Sequence, residues 1–140
     1  MILPDVNVLL NAVNSGAPQH ATAHAALRRA YAAGPVALAW PALLGFLRLS
    51  TRSGILPRPL DIEQALDVTM HWLQHPASVL VQPTTQHAAL LSRLLIGIGR
   101  GGPLVSDAHL AALAIEHGAE LLSFDGDFER FAGLRFARLT

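Results

Sequence analysis

Met1-Ile2-Leu3-Pro4-Asp5-Val6-Asn7 opens the chain with an apolar run that stops at a carboxylate. Such a run reads as a short buried strand, and Pro4 is tolerable because it falls at the strand's end. The same pairing of apolar run and acid recurs at Leu104-Val105-Ser106-Asp107 and at Leu121-Leu122-Ser123-Phe124-Asp125-Gly126-Asp127. In an open α/β sheet the strand ends on one side form the ligand crevice, so acids far apart in sequence can meet there. Each of these seams is expected at a strand end.

Between these seams, apolar runs alternate with helical patterns, the signature of βαβ units around a parallel sheet. Met1 to Asp5 is the first strand, with a short helix through Val6 to Asn11. His20 to Ala33 has helical spacing and stops at Gly34-Pro35. Val36 to Trp40 is the second strand, and Pro41 suits the first position of a helix over Ala42 to Arg52, ended by Ser53-Gly54. Asp61 followed by Gln64 forms a capping box for a helix to about His75. Val79 to Val81 is the third strand. Thr84 or Thr85 is expected to cap a helix through Ala88 to Ile96, which breaks in the glycine run Gly97 to Gly102. Ser106-Asp107 should cap a helix to His117, ended by Gly118. Leu121 to Phe124 is the fourth strand, Asp125 to Phe128 turns into a final short helix, and Arg135 to Leu139 is an edge strand.

The chain's 140 residues suit a single domain over 1–140 with a real core. Hydrophobic residues at 51% and charged residues at 14% exclude disorder, and no apolar stretch is long enough to cross a bilayer. Without cysteine there is no disulfide framework and no thiolate metal site. No export signal is evident at the N-terminus, so a cytoplasmic location is expected. Ten basic residues, all arginine, balance ten acidic ones. Any nucleic-acid binding must therefore come from local placement of charge.

Hard cations such as Mg²⁺ and Mn²⁺ take oxygen ligands, which carboxylates on rigid strand ends supply. Asp5, Asp107 and Asp125 are the candidate ligands. Asn7, two residues beyond Asp5, is placed to hydrogen-bond the carboxylates or brace Asp5. A helix cap is the competing role for each acid. Three such acids at one sheet edge favour a metal site.

Four segments then stand in order: Leu3-Pro4-Asp5-Val6-Asn7-Val8-Leu9-Leu10, Gly45-Phe46-Leu47-Arg48-Leu49-Ser50-Thr51, Ser106-Asp107-Ala108-His109-Leu110-Ala111-Ala112-Leu113-Ala114, and Ser123-Phe124-Asp125-Gly126-Asp127-Phe128. Together they make the chain resemble a PIN-domain protein of the VapC toxin type over essentially its whole length. The resemblance implies a three-layer α/β/α sandwich with a mostly parallel sheet. It also implies a Mg²⁺- or Mn²⁺-dependent endoribonuclease acting on RNA, a homodimer, and neutralisation by a small VapB-type antitoxin. Carried over residue by residue, the first metal-binding aspartate falls on Asp5, the third acid on Asp107, and the fourth on Asp125 with Asp127 a rival. The second acid, a glutamate in many relatives, falls on Gly45, and no Asp or Glu occurs between Asp5 and Asp61. Loss of that carboxylate would weaken a second cation most.

On a helix, positions 45, 48, 49 and 52 share a face, which would set Arg48 and Arg52 beside the gap at Gly45. There they could grip a phosphate, the competing role for Arg48 being a structural ion pair. His20/His24 and His71/His75 have zinc-clamp spacing but lack the glutamate of His-Glu-x-x-His. The run Gly97 to Gly102 lacks a phosphate-loop lysine. His109, two residues beyond Asp107, should turn away from it. Trp40 and Trp72 read as core or dimer-interface residues.

Two further classes remain open from sequence. A haloacid-dehalogenase-like phosphatase would use Asp5 as phosphoryl acceptor, but Asn7 stands where its acid belongs and the chain has no lysine. A noncatalytic PIN-like module, disarmed at Gly45, would bind RNA or a protein.

Overall fold

The computed structural model describes residues 1–140. Five short strands form one sheet: β1 (Ile2–Pro4), β2 (Val36–Leu38), β3 (Ser78–Leu80), β4 (Glu120–Ser123) and β5 (Phe136–Arg138). Their order is β3-β2-β1-β4-β5, with every pairing parallel. The helices are α1 (Val6–Val13), α2 (His20–Ala33), α3 (Trp40–Ser50), α4 (Ile62–Gln74), α5 (His87–Ile98) and α6 (Leu104–Glu116), with a 3-10 turn over Gly126–Arg130.

Residue alternation along the strands explains the layers. In β2, Val36 and Leu38 point into one core with Leu9, Leu27, Leu43, Phe46 and Trp72, while Ala37 points into the other with Leu94, Leu113 and Phe128. Helices α1 to α4 thus cover one face, and α5 and α6 the other, giving the three-layer α/β/α arrangement. Phe46 meets Trp72 edge-on with centroids 4.8 Å apart, fixing α3 against α4. From β1 the chain winds outward through β2 and β3, then returns to the other side of β1 with β4. The carboxyl ends of β1 and β4 therefore form the topological switch point, where a ligand crevice belongs in such sheets.

Several boundaries differ from the sequence expectation. β2 ends at Leu38, and Trp40 instead begins α3, its side chain 39% exposed; the Pro41 that suits a helical start recruits its neighbour. Thr84 does not cap α5. Its hydroxyl accepts from Gln86 N–H and donates to Glu116, while Gln86 takes the cap position without a side-chain bond. Helix α5 also runs through Gly97 to Ile98 before Gly99, at φ 78°, closes it. The capping box of Asp61 and Gln64 is present as expected.

The largest revision concerns residues 104–107. Leu104-Val105 is not strand-like, and Ser106-Asp107 is not a cap. Pro103 has helical angles, so α6 begins at Leu104 and Asp107 lies within its first turn. Two apolar residues are too few to hold a strand against a helix whose Ala108, Leu110, Ala111, Ala112, Leu113 and Ala114 are all buried.

Candidate metal centre

Asp5 follows β1 and caps α1: its Oδ1 accepts from Val6 N–H at 2.7 Å. Its own N–H donates to Leu122 carbonyl at 2.9 Å, locking the end of β1 to β4. Asp125, just past β4, caps the 3-10 turn by accepting from Asp127 N–H at 2.9 Å. Both acids are therefore caps as well as site residues, each using one oxygen, Oδ1, to cap the turn that follows. Asp107 enters from α6 on the opposite layer.

Carboxylate oxygens of Asp107, Asp125 and Asp127 lie within 4.8 Å of one another. Asp5 stands outside that trio's mutual distance but close enough that its charge acts on Asp107. Burial, followed by the charges of Asp5, Asp125 and Asp127, pushes the Asp107 carboxyl up to about 6. Burial also raises Asp5, outweighing the hydrogen bonds from Ser123 and Val6 that favour its charge, and Asp125 adds to the rise. Arg130 pairs with Asp127 at 3.5 Å, both side chains about half exposed, so the cluster is left largely uncompensated. A set of oxygen donors that repel one another when empty matches a hard divalent cation.

Ser123 organises the cluster. Its hydroxyl donates to Asp5 Oδ2 at 2.7 Å and accepts from Asn7 Nδ2 and from Asp125 N–H, each at 3.0 Å. One donor and two lone pairs are thereby used fully, at a completely buried position. Asn7 braces Asp5 through Ser123 instead of directly, while its Oδ1 accepts from Phe124 N–H at 3.2 Å. Sequence reading missed Ser123. The available signal was a small hydroxyl residue at the last position of a strand, two residues before an acid.

At Gly45 the missing carboxylate has a structural counterpart. A Cβ there would sit 2.9 Å from Val6 Cγ2, so the valine fills the space and lets α3 approach α1. Arg48 and Arg52 are exposed, and neither makes a side-chain hydrogen bond or ion pair, so the structural ion pair expected of Arg48 has no partner here. Arg52 also lies beyond the end of α3.

The histidines separate from the acids. His20 Nδ1 meets Asn11 carbonyl, and His75 Nδ1 accepts from Ala77 N–H. His109 turns to His87, Nδ1 to Nε2 at 2.9 Å, and His87 Nδ1 meets Glu116 at 2.5 Å. Glu116 also accepts from Thr84 N–H and hydroxyl, tying the start of α5 to the end of α6. This cluster was likewise absent from the sequence reading, since its members come from two helices.

A parallel sheet carrying clustered acids at its switch point defines an α/β protein with a candidate metal centre. Its family follows from comparison: the PIN domain model matches residues 2–134, and the chain belongs to that family. It is 47% identical over 137 residues to Ribonuclease VapC37 of Mycobacterium tuberculosis, covering 97% of this chain and 95% of the relative. Ribonuclease VapC33 of the same organism is 39% identical, covering 97% and 96%. Among solved structures the fold is similar to VapBC2 from Rickettsia felis bound to a promoter DNA fragment, with a TM-score of 0.72, 17% identity and full coverage of both chains. It is also similar to M. tuberculosis VapC20, a sarcin-ricin loop cleaving toxin, with a TM-score of 0.66, 20% identity, and 96% and 99% coverage.

Proposed function

We propose that this chain is a Mg²⁺- or Mn²⁺-dependent endoribonuclease of the VapC toxin type, hydrolysing RNA phosphodiester bonds and held in check by a VapB-type antitoxin. The observation that carries the chemistry is the convergence of Asp107, Asp125 and Asp127 from α6 and the end of β4, beside Asp5. The ribonuclease relatives carry the substrate class, and the similar toxin–antitoxin structures support the partner. The same reading expects a homodimer. It also places the protein in the cytoplasm; no helix is long and apolar enough to cross a membrane.

Asp107, Asp125 and Asp127 would hold the cation, with Asp5 as a further ligand. A bound divalent cation would supply Lewis-acid polarisation of the phosphate and an activated water. Around it, Ser123 orients Asp5 and favours its charged form, Asn7 holds Ser123, and Asp125 N–H fixes the turn bearing the last two acids. No side chain needs to attack phosphorus. Gly45 favours either one firmly held cation or a second that would arrive only with RNA.

The phosphatase alternative weakens further, since Asn7 is committed to Ser123 and Phe124 and offers no acid. A noncatalytic module keeps one supporting observation, the valine filling the Gly45 position.

The deciding experiment incubates tRNA and structured RNA with purified protein and Mg²⁺ or Mn²⁺, beside an identically prepared Asp107→Asn protein. Cleavage by the native chain alone is expected. Equal silence in both, with metal bound by the native chain, favours the noncatalytic module. Antitoxin pairing is tested by co-purification with the product of the adjacent reading frame.

A further inference from the structure

One cation stands at the acidic site without a partner. Arg138 ends β5 and pairs in register with Ser123 of β4, so the two side chains leave the sheet on the same face. Its guanidinium lies over Gly126, the residue between Asp125 and Asp127. A Cβ at Gly126 would sit 2.7 Å from Nη1, 2.8 Å from Cζ and 3.3 Å from Nη2. The glycine thus leaves room for the guanidinium, the flexible end of the side chain, which a Cβ would displace.

Arg138 nevertheless makes no side-chain hydrogen bond and no ion pair within 4.0 Å. Its neighbours differ. Arg130 is engaged by Asp127, and Arg135 donates to Gly118 carbonyl. An exposed arginine with no hydrogen-bond or ion-pair partner, lying beside a negative cluster, is available to an incoming anion. An RNA strand reaching the acids must cross that rim against their charge, and the fork offers one of its phosphates a bidentate seat.

We infer that Arg138 is a substrate-binding residue that holds a backbone phosphate flanking the scissile one, with no preference among bases. This inference rests on the ribonuclease reading. It adds a contact from β5 to the phosphate grip that sequence spacing suggested for Arg48 and Arg52.

The test measures binding of a fluorescein-labelled single-stranded RNA to the full chain in an Asp107→Asn background, where the strand stays intact, across a salt series. Arg138→Gln is expected to weaken binding about tenfold and to reduce the slope of log affinity against log salt by about 0.7, the value of one single-strand phosphate contact. Gly126→Ala, which displaces the guanidinium while keeping its charge, should weaken binding less than Arg138→Gln, and Arg138→Lys should keep part of the affinity. In the otherwise native chain, Arg138→Gln should raise KM about tenfold with kcat nearly unchanged. Unchanged affinity and salt slope in Arg138→Gln would overturn the proposal, as would a fall in kcat at constant KM, which would mean that the charge acts on the acids. Thermal melts confirm that each variant is folded. Either negative leaves the ribonuclease reading standing, because that reading fails only if the native chain with bound metal cuts no RNA.

Discussion

Ser123 donates its hydroxyl proton to Asp5 Oδ2 across 2.7 Å, although the residues stand 118 positions apart. The bond spans the switch point between β1 and β4, so the site exists only when that strand pairing is correct. It also favours the charged form that burial opposes: the hydroxyl replaces part of the water that burial removes.

Ser123→Ala leaves Asp5 Oδ2, Asn7 Nδ2 and Asp125 N–H each without a partner. Metal affinity should fall about tenfold or more, as when bracing groups around metal ligands are removed. Titration calorimetry with Mn²⁺ checks this, and cleavage at saturating Mn²⁺ should recover partly.

Asp107 sets a pH dependence of stability in the metal-free protein. Its carboxyl has a pKa of about 6 when folded against 3.8 unfolded, so the folded state binds more protons between those values. That contribution is fully present below about pH 4 and is lost as pH rises through 6. The two pKa values give about 3 kcal/mol, which partial exposure and screening reduce to about 1–2 kcal/mol. Denaturant melts in chelator should therefore show a stability contribution that falls from pH 4 to pH 7, and Mg²⁺ at pH 7 should offset the fall. A flat profile in chelator would count against mutual repulsion of these acids.

Asp107→Asn removes the repulsion together with a ligand. Metal-free stability at pH 7 should rise by about 1 kcal/mol while RNA cleavage disappears, the trade expected where a site stores unfavourable charge. Loss of folding would instead assign Asp107 a structural role.

Gly45→Glu is not a simple restoration. Its Cβ would press on Val6 Cγ2 at 2.9 Å, and the stiff β-branched side chain cannot swing aside cheaply. The single variant should lose about 1–3 kcal/mol from overpacking. The Gly45→Glu, Val6→Ala pair should recover much of that and gain Mn²⁺ affinity over Val6→Ala alone. No gain in the folded double variant would count against the site being a depleted two-cation centre.

Glu116→Ala should loosen α5 from α6 by removing the acceptor for Thr84 and His87, at a cost of about 1–3 kcal/mol. Hydrogen exchange at the start of α5 should accelerate, while Mn²⁺ affinity at the acids stays unchanged.

The sequence by itself determined what neighbouring residues can decide. The alternation of apolar runs and helical patterns gave the five strands, Asp61 with Gln64 specified its capping box, and Gly34 and Gly118 closed their helices. Asp5 and Asp125 were legible because a carboxylate following a strand is marked by its immediate flanks. Only the tertiary structure decided that Asp107 arrives inside a helix, that Val6 occupies the space at Gly45, that Ser123 joins Asp5 to Asn7, and that Arg138 lies over Gly126. Each of these depends on strand order, register or the approach of two helices. Such contacts join residues with no shared local pattern, and their positions are fixed by packing of the whole sheet and its two cores.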